Sequence, residues 1–288
     1  MAMNKVLVWA LVLAMMPAGG QAYAADNIDG LINGLFCKDE QGVHVCADFI
    51  PADGIFYYGT YPNGKLIGKG YAKGGKIDGP VEIYYENGQL GAEANYKDGK
   101  RDGVYKSYYK SGQLEEEENY KDGKPEGVSK MYHKNGQLWL EQYYKDGELE
   151  GGFKRYYENG QLKSETNFKN DKPEGVWKSY YENGQLREEK YYKNDRPDGV
   201  WKRYNENGQL EEETNYKDGT LAGVRNKYHK NGKLSVEANY KGGKHDGTTR
   251  FYYEDGQLQV EMNYKDGKQD WVYKSYYKSG QLEEEENY

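Results

Sequence analysis

Short apolar and aromatic runs alternate with polar turns along this chain at one fixed spacing. From Gly64 to Gly280 a glycine recurs every 24 residues, and a leucine follows two places after each, from Leu66 to Leu282. A tyrosine stands four places before the glycine, from Tyr84 to Tyr276. From Tyr96 to Tyr288 an aromatic ring stands eight places after it. Periodicity of this length is the signature of a repeat array. The unit reads K-D-G-K-x-x-G-V-W-K-x-Y-Y-E-N-G-Q-L-x-x-E-x-N-Y, and nine copies tile Lys73 to Tyr288. The stretch from Phe49 to Ala72 keeps Asn63-Gly64 and Leu66 and reads as a degenerate tenth copy.

Each unit carries two turn signals, Asn-Gly (or Ser-Gly, Asp-Gly) inside it and Asp-Gly at its junction with the next. Asx-Gly pairs between runs of Val, Trp, Tyr and Leu are strong hairpin signals, because type I′ turns need positive φ at both central positions. Helix is excluded by glycine at every tenth residue or so. The prediction is all-β: an elongated, single-layer, twisted meander of antiparallel β-hairpins. Roughly twenty strands at about 4.8 Å spacing give an array on the order of 95 Å long, in which each unit contacts mainly its neighbours.

If the Asn-Gly turn has two residues, Lys106 opposes Glu117, Lys178 opposes Glu189 and Lys202 opposes Glu213. The recurrent glutamate, from Glu93 to Glu285, is then one side of a ladder of cross-strand ion pairs, each worth about 0.2–1 kcal/mol. The opposite face gathers Trp177, Tyr181 and Leu186 in an aromatic seam. A three-residue turn shifts the register by one, and the sequence leaves both open.

Composition changes this picture in one respect. Only 36% of the chain is hydrophobic and 30% is charged, values that would suit disorder, but 15% is aromatic and there are 32 Tyr and 38 Gly. Disordered chains are poor in aromatics. The rings supply the apolar surface and glycine the turns. The net charge is -7 with both signs interleaved, so no basic patch offers itself to nucleic acid or to an anionic membrane.

The first residues, MAMNKVLVWALVLAMMPAGGQAYAADN, combine Lys5, an apolar run from Val6 to Met16, and Ala22-Tyr23-Ala24. That is the layout of a cleavable signal peptide, with Ala25 as the expected mature N-terminus. The expected organisation is a signal peptide over 1–24, an N-terminal cap over 25–48 and repeats over 49–288. The expected location is the periplasm, the cell surface or the medium. In an oxidising compartment Cys37 and Cys46, either side of a Gln-Gly turn, are expected to form a disulfide. With His44 they offer only three donors, at a spacing unlike zinc sites, so neither metal nor cofactor is expected.

The run K-D-G-K-P-E-G-V-W-K-S-Y-Y-E-N-G-Q-L, best seen from Asp171 to Leu186 and from Asp195 to Leu210, resembles the MORN-repeat-variant family. Bacterial members are often labelled YwqK-type antitoxins, a role that does not suit an exported chain. The resemblance implies interaction modules, engaged in protein contacts, oligomerisation or membrane association, with no catalytic residues in the repeat.

The residues agree with that implication. There is no P-loop, G-x-S-x-G or H-E-x-x-H motif. His133 and His229 occupy the unit position of Tyr109 and Tyr157 and read as aromatic substitutes, while His44 and His245 are scattered. Each Asp-Gly turn offers one carboxylate beside a lysine, far short of the six to eight oxygens calcium takes. The expected function is therefore a non-enzymatic scaffold binding a protein or glycan partner, with Trp177, Trp201, Tyr181, Tyr157 and Tyr109 as candidate contacts. The alternative is a structural spacer or self-assembling, homo-oligomeric surface element. It is motivated by residues 279–288, SGQLEEEENY, which repeat 111–120 letter for letter and show no cap.

Overall fold

The structure, a computed structural model, describes residues 50–287. The signal-peptide and cap readings, Cys37, Cys46 and His44, and Tyr288 lie outside the described residues. Compactness divides the chain into two units between Phe153 and Lys154. Among the described residues the chain forms antiparallel strands that pair with their neighbours in sequence, in one 22-stranded sheet. Two of those strands, Lys124–Pro125 and Arg196–Pro197, are two-residue pieces set off by irregular pairing. No described helix is long and apolar enough to cross a membrane.

The two turns of the unit have different geometry. At the junction, Lys97 pairs with Lys100, and both loop residues have positive φ, Asp98 at 50° and Gly99 at 81°. This is the two-residue type I′ turn expected of Asp-Gly. Where the sequence replaces that glycine, Asp171 and Asp195 take φ of 61° and 66°. Asx side chains tolerate this region better than other non-glycine residues.

The internal turn has three loop residues. The Tyr109 N–H donates to the Gln113 carbonyl (2.8 Å) and the Gly112 N–H to the Tyr109 carbonyl (2.7 Å). Only Gly112, φ 89°, is left-handed in the loop. That is a type I turn closed by a glycine, the usual three-residue hairpin. It sets Tyr108 against Leu114. The pairing then slips by one residue, so that Ser107 faces Glu116 and Lys106 faces Glu117. Glu115 is the extra residue of a β-bulge. The two shifts cancel, and Lys178–Glu189 and Lys202–Glu213 pair as well. The expected pairs form, by a turn of the other kind.

A second irregularity follows each junction turn. Between Ala94↔Tyr105 and Tyr96↔Arg101 one strand spends three residues against one on its partner, at Gly103, φ 114°. The unit's second glycine serves this bend.

The core is uneven. In the N-terminal unit, Tyr58, Ile77, Val81, Ala92, Ala94, Tyr96 and Tyr105 form one buried cluster, with Phe56 and Ile83 packed against it. Gly70 is required there: a Cβ would stand 2.5 Å from the Phe56 ring. In the C-terminal unit Ala238 is buried, but the other buried residues there are Thr166, Thr214, Thr249 and Ser275.

Candidate binding surface

Alternation along each strand gives the sheet two faces, and the cross-strand pairs identify them. One face carries a charge ladder. In the C-terminal unit Glu165, Lys178 and Glu189 pair in succession, followed by Lys202 and Glu213. The row continues through Asn226, Glu237, Arg250, Glu261, Lys274 and Glu285. In the N-terminal unit Glu93, Lys106, Glu117, Lys130 and Glu141 form the same row. Each lysine therefore faces a glutamate on both sides, whereas the sequence reading paired it on one side only. The missing signal was the bend at the second glycine, which restores register across the junction.

The ion pairs are half-exposed, with Nζ–O distances of 3.6 Å for Lys106–Glu117, 3.6 Å for Lys178–Glu189 and 4.0 Å for Lys202–Glu213. Exposed pairs contribute about 0.2–1 kcal/mol each. The tyrosine row flanks them: Tyr108 donates to Glu93 (2.7 Å) and Tyr180 to Glu165 (2.8 Å). Burial, then these carboxylate bonds, push both phenols up to about 12.

A further tyrosine row staples successive units. The hydroxyls of Tyr85, Tyr109, Tyr157, Tyr181 and Tyr253 each donate to the carbonyl 23 residues later, at 2.6–2.9 Å. His229 occupies this position with its Nε2 at 2.8 Å from the Tyr252 carbonyl, so it substitutes for tyrosine in its bonding as well as its place. Three candidate contact residues, Tyr109, Tyr157 and Tyr181, thus have their hydroxyls committed. Their rings remain partly exposed.

The turns stack too. Asn159 and Asn183 each donate to the carbonyl of the next turn's glutamate (3.3 and 3.0 Å). Their own Oδ1 accepts the backbone N–H two residues on. At the junctions Asp102, Glu126 and Glu174 accept the backbone N–H of the left-handed turn residue 20 places later. These carboxylates are turn ties. Among the described residues no group of His, Cys, Asp or Glu is arranged to hold a metal.

The second face varies from unit to unit. In the N-terminal unit it passes from the apolar cluster to Arg101, whose guanidinium lies 4.8 Å from the Tyr105 ring centre and 5.0 Å from that of Tyr120. Glu116 and Glu118 lie buried beside it. Burial, then the neighbouring Glu118 and Glu115, raise the Glu116 carboxyl from 4.5 to about 8, with Arg101 opposing. Glu118 is raised by burial, against the pull of Tyr120 and Arg101. That two members of an EEEE run are buried cannot be read from the letters, because it depends on which face each occupies.

In the C-terminal unit this face brings Trp177 and Trp201 together. Lys190 is paired opposite Trp177, and its ammonium sits 4.9 Å from the Trp177 ring and 4.5 Å from the Trp201 ring. Glu188 holds the same ammonium at 3.2 Å. Trp201 also packs on Tyr216, with ring centres 5.6 Å apart. A shallow hollow opens here against Tyr192, Pro197 and Gly199. Beyond it Glu212 bridges Arg203 (3.0 Å) and Arg225 (2.6 Å). His245 follows, bonded to Tyr240 at 2.7 Å and lowered in pKa by burial, then by Arg225. Sequence reasoning found the two tryptophans and missed Lys190. Its signal was a lysine where other units have Ala, Glu, Gln, Thr or Met.

Nine segments, 77–98, 101–122, 125–146, 149–170, 173–194, 197–218, 221–241, 246–266 and 270–288, match the MORN repeat variant. The chain belongs to that family. Its MORN-variant repeats are the hairpins described above, and the ladder, staples and turn ties are what the repeat conserves within this chain. No curated protein matches it. Solved structures with similarity include TcdB2-TccC3-Cdc42 and TcdB2-TccC3 without its hypervariable C-terminal region. Each is 15% identical over 77% of this chain and 14% of that chain, at a TM-score of 0.19. A Photorhabdus luminescens Tc holotoxin pore is 13% identical over 85% of this chain and 15% of that one, at 0.21. The MORN-variant chain spans about a seventh of the length of those chains.

Proposed function

We propose that this MORN-variant protein is an exported, non-enzymatic scaffold that holds a protein or glycan partner at the cell envelope. The observation carrying this reading is the contrast between the faces. The ladder face repeats the same residues and uses them to tie strand to strand. The other face changes from unit to unit and, at Trp177, Lys190 and Trp201, offers half-buried aromatic surface beside a hollow. Rigidly held aromatic rings are the residues most often responsible for binding energy at interfaces. The rings of Tyr109, Tyr157 and Tyr181 serve as secondary contacts.

Photo-crosslinking in the producing cell tests this. A crosslinking residue replacing Arg203, on the variable face, is expected to capture a partner in the envelope fraction, and one replacing Lys178, on the ladder, is not. The Arg203 adduct should disappear in a Trp177→Ala/Trp201→Ala chain. An adduct indifferent to both tryptophans, or recovered only with cytoplasmic proteins, would sink the proposal.

A further inference from the structure

The strands around the two tryptophans restrict what can bind there. Lys172–Tyr180, Leu186–Lys193 and Gly199–Tyr204 are each paired on both sides. Their main-chain donors and acceptors are spent on the sheet, so a peptide cannot bind here by strand addition, which relies on free edge groups. A ligand must be recognised by side chains alone. The hollow encloses about 90 Å³. At about 30 Å³ per water it holds only a few, so a ligand lies across it on the rings rather than inside it.

Those side chains combine aromatic faces with one cation, Lys190. Trp201 and Tyr216 form a tilted pair of rings that lines the hollow together with Tyr192 and Pro197. Sugar rings present faces of C–H bonds whose partial positive charge is attracted to an aromatic face, as cations are. Lys190 is held by a single carboxylate, Glu188. Arg203, opposite Glu188 in register, has its guanidinium bonded to Glu211 and Glu212, so Glu188 must keep the Lys190 ammonium, since an uncompensated buried carboxylate is costly. An ammonium carries three N–H donors, which lets a ligand carboxylate join Glu188 on Lys190 rather than displace it.

We propose that Trp177, Lys190, Trp201 and Tyr216 form a site for an acidic glycan, with sugar rings stacked on the aromatic side chains and a sugar carboxylate on the Lys190 ammonium. This rests on the reading of the variable face as the binding face and adds the ligand class to it. A second carboxylate on the Lys190 ammonium, beside Glu188, makes binding selective for charged over neutral sugars.

The test titrates the full chain with a uronic-acid oligosaccharide and with its neutral counterpart of the same length, read by calorimetry and tryptophan fluorescence. The uronate oligomer is expected to bind and the neutral one to bind more weakly. Lys190→Met should weaken the uronate by about tenfold or more, the worth of one charge-assisted contact. Lys190→Arg should keep most of the affinity. If Lys190→Met disturbs the sheet by circular dichroism, the salt dependence of the unsubstituted chain reads the same contact, and affinity must fall as ionic strength rises. No binding of the uronate, equal binding by a folded Lys190→Met chain, or indifference to salt overturns the proposal. The crosslinking result at Arg203 stands or falls separately, because it does not depend on the ligand being a sugar.

Discussion

Tyr181 shows how one side chain can serve two ends. Its ring takes the Arg187 guanidinium at 5.6 Å, while its hydroxyl crosses to the Tyr204 carbonyl. The sequence made it a contact residue because it is aromatic and recurrent, and the recurrence belongs to the staple. Tyr181→Phe should cost about 1 kcal/mol in urea unfolding, one net hydrogen bond. Glu116 makes a separate prediction. Its carboxyl binds a proton more tightly folded than unfolded, so its contribution to stability is complete below its ordinary 4.5 and is lost as pH rises through about 8. Thermal melts should show the midpoint falling over that window. Glu116→Gln should flatten the slope, and an unchanged slope would mean the carboxyl is not buried as described.

At the scale of the hairpin, most of the structure could be read from spacing. Asx-Gly pairs placed the turns and the 24-residue period placed the strands. The loop length could not be read, since Asn-Gly suits both two-residue and three-residue turns and the compensating bulge at Glu115 has no sequence mark of its own. The register survived because the shift of the three-residue turn and that of the bulge cancel, which leaves Lys facing Glu in the hairpins of Lys106, Lys130, Lys178, Lys202 and Lys274. Glu82, facing Glu93, is one departure from this pattern, and Asn226 is another. Asn226 sits in the ladder between Glu213 and Glu237, and its Oδ1 is buried without a partner. Asn226→Lys removes the orphan acceptor and completes two ion pairs. It should stabilise the chain by a few tenths to about 1 kcal/mol per pair, measured by urea unfolding at low salt, with part of the gain lost at high salt.

For the whole molecule, what matters is that stability is shared among neighbours rather than stored in one core. The apolar cluster is concentrated between Tyr58 and Tyr105, and later hairpins rely on staples, turn ties and the ladder. In such an array a complete period can be removed without stranding any residue. Deleting 205–228, a stretch of 24 residues, joins Tyr204 to the hairpin turn beginning at His229 and brings Lys202 against Glu237. That chain should keep its β-sheet circular dichroism. Deleting 12 residues from the same stretch should not, because it joins two strands of the same direction. The sequence announced this modularity plainly. It could not announce the variable face, because a departure from a repeat is visible in letters while its neighbours across the sheet are not.

The staples also have a direction. In every one the donor precedes its acceptor by 23 residues, so each staple closes only when the chain one period downstream is in place. A polypeptide synthesised from its N-terminus therefore cannot close a unit's staple until the next unit has followed it. Among these staples, that of the last unit made is the last to close.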